Sequence, residues 1–184
     1  MEQPTYMPLL NSIAVNEAKG EKLLSAWAAT TPDAALASAL RFVAIREGEH
    51  AMAFTKRMCE LGHEVCEDTA FQVFKEFDKL VEFVKSPISD ADKVARLTAR
   101  PAGEAPRKDP FTGFFNDTTI DPQTGELLGR YIAEERDSGR RLQVEYDRVC
   151  SASGASNMEM QSLKASIEAL RQEVAKLTRV RSVA

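Results

Sequence analysis

The chain has 184 residues, enough for one sizeable core and a short appendage, and its 43% hydrophobic and 28% charged content is that of an ordinary globular protein. A net charge of −4 from mixed acids and bases argues against nucleic-acid binding, and no run of about 18 apolar residues offers a membrane span. Three cysteines and an N-terminus without a secretion signal lead to the expectation of reduced thiols in the cytoplasm.

Apolar periodicity predicts a first helix from Pro8 to Thr30, with Leu10, Ile13, Glu17, Leu24 and Ala28 inward. Glu21 is also expected to face inward, one turn nearer the following turn, against Val43. Thr31 is placed as the cap of the second helix, with Pro32 in its first turn, and Gly62 ends that helix after Leu61. A third helix is expected from Thr69 to Val84, closed by Pro87, with Ala70, Val73, Phe74, Phe77, Leu80, Val81 and Val84 inside. The stretch 86–121 reads as irregular, apart from a short helix Asp90–Leu97 capped by Ser89, with Phe111, Phe114 and Phe115 pinning its end. The next helix begins near Asp121-Pro122 or Glu126 and reaches Cys150, its inner stripe running through Leu128, Tyr131, Ile132, Glu135, Ser138, Gly139, Leu142, Tyr146 and Val149.

Ser151–Asn157 reads as a flexible linker, which divides the chain into a helical bundle (1–150), the linker (151–157) and a C-terminal helix (158–184). There Met160, Leu163, Ile167, Leu170, Val174 and Leu177 alternate spacings of three and four, a heptad seam expected to make a homodimer as a parallel coiled coil. The alternative is a fifth helix folded back on the bundle.

The second helix carries the most informative stretch. Leu36, Leu40, Val43, Glu47, His50 and Phe54 share one narrow face, at about 100° per residue, and only Glu47 and His50 break its apolar character. Glu17 lies 14 residues before Thr31 and Glu47 lies 14 after Asp33, so an antiparallel hairpin sets the two carboxylates level. A buried acid beside an imidazole requires a partner, and a metal ion suits both.

Glu on a first helix followed by Glu47-x-x-His50 on a second resembles the first half of the ferritin-like carboxylate-bridged proteins, the superfamily of rubrerythrin and the di-iron carboxylate proteins. The resemblance covers about 9–62 well and 127–149 more weakly. It implies an all-α, ferritin-like four-helix bundle, here with a long loop before the last bundle helix and the coiled-coil helix after it. It further implies that Glu17 is a terminal ligand, Glu47 and Glu135 bridging carboxylates, and His50 the imidazole. Ser138 stands where a second His belongs, and the third helix has no inward acid, so the expected metal set is Glu17, Glu47, His50 and Glu135 around a single Fe or Mn ion. Arg136, Arg140 or Arg141 could neutralise the same carboxylates without metal.

Cys59, His63, Cys66 and Cys150 match no usual zinc spacing and read more simply as thiols near a turn. Trp27, Tyr131 and Tyr146 could form an electron relay but read first as packing, and Lys176, Arg179 and Arg181 suit a helix C-terminus. Two functions compete: a ferritin-like metal-binding protein with a redox role, and a metal-free structural or adaptor bundle that oligomerises through its last helix.

Overall fold

The computed structural model describes residues 4–99 and 111–181, those from 155 onward as backbone alone. Among these residues all regular structure is helical: α1 Met7–Thr30, α2 Ala34–Glu60, a 3₁₀ turn Glu67–Thr69, α3 Phe77–Lys85, α4 Asp90–Thr98 and α5 Pro122–Arg181. No described helix is long and apolar enough to cross a membrane. The chain divides into two compact units, Met1–Tyr146 and Asp147–Ala184.

In the first unit α1 and α2 pack as an antiparallel hairpin about Thr31-Pro32. The cap of α2 is Asp33, whose carboxylate accepts from the Leu36 N–H at 2.9 Å; Thr31, expected in that role, instead accepts from the Asp33 N–H. At the other end Gly62 takes φ +79°, and the His63 N–H reaches the Met58 carbonyl while Gly62 reaches Cys59, a left-handed stop that satisfies the last carbonyls of α2.

The expected third helix forms only in its second half. Side chains on α1 capture the backbone before it. Asn11 exchanges two hydrogen bonds of 2.8 Å with the Cys66 peptide, Ser12 accepts from the Phe71 N–H, and Asn16 donates to the Phe71 carbonyl and accepts from the Val73 N–H. With the Cys66, Phe71 and Val73 peptide groups held this way, 66–73 makes one 3₁₀ turn in place of an α-helix. Helical geometry begins after Glu76, which sits in the left-handed region at φ 51°. Val73, expected inside, is exposed, whereas Val84 is fully buried.

Asn11 meets Cys66, Lys19 lies over the Phe77 ring, and the Thr30 hydroxyl meets the Val84 carbonyl, so 66–85 runs parallel to α1. Ser89 caps α4 as expected, and Asp90 at its start accepts from the Trp27 indole at 2.7 Å.

α5 starts where expected, with Asp121 accepting from the Thr124 N–H. As far as Tyr146 it runs parallel to α1: Asp121 meets Tyr6 and Arg57 at one end of this part, and Tyr146 stacks on Trp27 at the other. Leu10, Ile13, Phe54, Leu128, Tyr131 and Ile132 form the core between the three long helices, with Phe111 and Phe114 packed against it. Phe115, expected to pin the loop with them, is exposed, as is Gly139 on the predicted inner stripe.

Ser151–Asn157, expected to be a linker, is helical and lies within α5. Serine and asparagine carry only a modest helix penalty, and a helix already running through Cys150 can absorb it and one glycine. The side chains of the 160–177 heptads, and of Lys176, Arg179 and Arg181, fall outside the described residues. The same holds for Pro101, Gly103, Pro106 and Pro110 of the loop.

Candidate metal centre

α1 contributes Glu17 to the interior because its 3.6-residue repeat brings positions 10, 13, 17 and 28 onto one buried face. α2 contributes His50, buried between Val43 and Phe54 on its inner stripe. α5 contributes Glu134 and Glu135, consecutive residues about 100° apart on the helix. That angle lets them straddle the imidazole. Glu134 Oε2 lies 2.8 Å from Nε2, and Glu135 Oε1 lies 3.3 Å from Nδ1, which is also 3.1 Å from Glu17 Oε2. Among the described residues Glu17, His50 and Glu135 are the one group of three or more whose ligand atoms converge, all within 4.8 Å of one another.

Nδ1 carries at most one proton, and two carboxylate oxygens compete for it. Glu135 Oε1 is left buried without a hydrogen-bond donor. A buried, unpartnered anionic oxygen is costly unless a cation meets it. Bonds of about 2.0–2.2 Å to one ion place ligand atoms up to about 4.3 Å apart, so this trio closes around an ion with a small inward shift. The residues present therefore fit a divalent ion.

Glu47 lies beside the trio and outside its set of converging atoms. Burial, and then the nearness of Glu17 and Glu135, push its carboxyl up to about 10, and it shares a hydrogen bond with Glu17. Its approach to α1 depends on Gly20: a Cβ there would collide with Oε2. Because Gly20 takes the inward position, Glu21 is turned out to solvent along Gly48, contrary to expectation.

Burial alone would lower the affinity of His50 for its second proton. The three carboxylates crowded around the ring, Glu135, Glu17 and Glu134, outweigh it and push the imidazole up to about 10. Tyr131 completes the ring of contacts, its hydroxyl donating to Glu17 Oε1 at 2.8 Å; burial, then the charges of Glu17 and Glu135, hold the phenol protonated far above its ordinary range. Phe111 and Phe114 pack on the Tyr131 ring.

Of the arginines on α5, Arg130 pairs with Glu134, and the three expected as neutralising partners contact other groups. Arg140 and Arg141 pair with Asp137, and Arg136 lies over the Phe111 ring. Arg46 from α2 reaches the Glu134 carbonyl, Asp137 and the Ser138 hydroxyl at 3.2 Å, so a guanidinium stands where the resemblance would place a second imidazole.

Of the four expected ligands, three converge and Glu47 adjoins them. Glu134 and Tyr131 are the contacts the sequence reading did not assign. The Glu134-Glu135 dipeptide was the available signal, since neighbouring helix positions can flank one ring. Cys59, Cys66 and Cys150 are free and exposed, and they form no ligand cluster with His63 among the described residues. Trp27 stacks on Tyr146 with ring centroids 5.7 Å apart, while Tyr131 packs with His50 and Phe54. A cavity of about 240 Å³ lies against the Nε2 edge of His50, walled by Met52, Ala53, Leu127, Arg130 and Glu134.

No protein-family model, curated protein or solved structure matches the chain.

Proposed function

We propose that this chain is a ferritin-like metal-binding protein that holds one divalent transition ion between α1, α2 and α5. Glu17, Nδ1 of His50 and Glu135 are its ligands, and Glu47 is the adjoining carboxyl group that completes the set once it loses its proton. The observation that carries this reading is the orphaned, buried Oε1 of Glu135, facing a buried carboxylate and a ring nitrogen. Mixed oxygen and nitrogen donors suit Fe(II) or Mn(II).

In this reading Glu134 fixes the tautomer. It holds the proton on Nε2 at 2.8 Å and leaves Nδ1 free to give its electron pair to the ion, an arrangement that also raises the basicity of the ring. Tyr131 orients Glu17 by donating to its far oxygen. Arg46 supplies permanent positive charge beside Ser138, which favours one ion over two. A bound Fe or Mn ion supplies one-electron redox chemistry at an open coordination position.

A second reading is favoured by His50 itself. As an imidazolium it bridges carboxyl groups of α1 and α5, and a metal-free adaptor bundle needs no more than that. Anaerobic titration of the purified chain with Fe(II) and with Mn(II) separates the two. Saturable binding that falls at least about 100-fold in both His50→Ala and Glu135→Ala is expected from loss of a direct ligand. Absence of binding by the wild-type chain supports the adaptor.

A further inference from the structure

The outer face of α2 carries a second, largely exposed stripe, where the Arg46 and Arg141 guanidiniums lie over the Phe42 ring at 4.7 and 4.5 Å. Ser38, Arg41, Phe42, Ile45, Glu49, Met52 and Lys56 lie within about 60° of one another's mean direction on the helix. Phe42 is 42% exposed, Ile45 65% and Met52 67%. Three large apolar side chains in line on one helix, rather than scattered singly, are the mark of a packing face. Beside them a groove of about 490 Å³ runs between α2 and α5, floored by Ala35, Ser38 and Ala39 with Val144 opposite.

The order of charges along the stripe identifies what fits it. Arg41, exposed and with one guanidinium nitrogen 3.5 Å from the Ala28 carbonyl of α1, lies one turn before Ile45, and Glu49 lies one turn after it. Turned end over end about Ile45, the stripe matches itself: Arg41 falls opposite Glu49, Met52 opposite Ser38, and Ile45 opposite its own copy. Large therefore meets small, and positive meets negative, twice over. This is the self-complementarity of a two-fold interface, in which one patch serves both partners. The small side chains of Ala34, Ala35, Ser38 and Ala39 allow two such helices to approach closely.

We propose that the outer face of α2 is a homodimer interface, formed by antiparallel packing of α2 on α2 of a second copy about Ile45. The inference is independent of whether the inner site holds metal, since it uses the opposite side of the same helix.

The test uses the full-length chain and its mass in solution by light scattering, against the chain mass of 20.3 kDa. Ile45→Glu is expected to weaken the dimer on the order of 100-fold and halve the mass, with the helical circular dichroism unchanged. Arg41→Glu and Glu49→Arg are each expected to weaken it about tenfold, and the double swap to restore it. A larger wild-type assembly that loses half its mass on Ile45→Glu supports the proposal equally, because the 160–177 heptads carry none of these changes. A monomeric wild type, an Ile45→Glu mass equal to wild type, or a double swap no tighter than its weaker single each overturns it.

Discussion

At the scale of single residues, the chemistry concentrates in how one imidazole divides its two nitrogens. Nδ1 faces Glu17 and Glu135, and Nε2 is held by Glu134, itself held by Arg130 at 3.0 Å. Burial would raise the Glu134 carboxyl, but the hydrogen bonds from His50 and Arg130 outweigh it and keep it below its usual range. Glu134 is thus a positioning residue. Glu134→Ala should lower Mn(II) affinity by about 10- to 100-fold while leaving the fold intact, and Glu134→Gln, which can still accept from Nε2, should recover part of that loss. Nitrogen shifts of the apo His50 ring provide the check that a general loss of stability would not reproduce: in the Ala variant the imidazolium should give up its proton at a lower pH than in wild type. Equal affinities in wild type and Glu134→Ala would refute the role.

At the scale of elements, α1 does two jobs with two faces. Its inner face carries Glu17, and its flank carries Asn11, Ser12 and Asn16, which bond the backbone of 66–73. Removing one such partner forfeits roughly 1 kcal/mol per hydrogen bond. Asn16→Ala should therefore destabilise the chain by about 1–2 kcal/mol and speed amide exchange at Val73 far more than at Phe54 in α2. Uniform acceleration at both sites would mean the contacts are not local.

The same elements show what was legible in advance. The hairpin of α1 and α2, the stop at Gly62, the Ser89 cap and the start of α5 all follow from periodicity and cap chemistry, which act within a few residues. That hairpin also brings Glu17 level with the Glu47–His50 turn, as equal arm lengths imply. The third helix misled because the partners that replace its hydrogen bonds sit some 55 residues away on α1, and Ala70, Phe74 and Phe77 keep a helix-like spacing regardless. Glu134 was hidden for a similar reason: its role depends on where the ring of His50 lies, not on its own face of α5. Thr31 was expected as the cap, and the role falls to Asp33, whose carboxylate accepts from the Leu36 N–H.

At the scale of the whole molecule, the ends of α1, α2 and α5 meet in a polar hub that closes the first unit. The Arg57 guanidinium, buried, donates to Asp121, Glu60, Gln123 and Thr124, and Tyr6 donates to Asp121 at 2.7 Å. Burial would raise the Asp121 carboxyl, yet hydrogen bonds from Thr124, Tyr6 and Arg57 outweigh it and hold it well below the ordinary carboxylate range. A carboxyl whose folded value is depressed contributes stability that is complete above the unfolded value of about 3.9 and is lost as pH falls toward the folded one. Melting temperatures should therefore separate wild type from Asp121→Asn at neutral pH, and the gap should narrow steadily below about pH 4. A gap that stays constant down to pH 2 would show that the hub draws nothing from the ionised carboxylate.

The connection after α2 is short, and 66–85 returns parallel to α1. The bound ion is the decisive object. Its stoichiometry after anaerobic loading with Mn(II) or Fe(II), measured by elemental analysis on the full chain after removal of free metal, tests the site most directly. One ion per chain, reduced to none in His50→Ala, is the result expected; no retained metal in the wild type, or one ion that persists in His50→Ala, would contradict it.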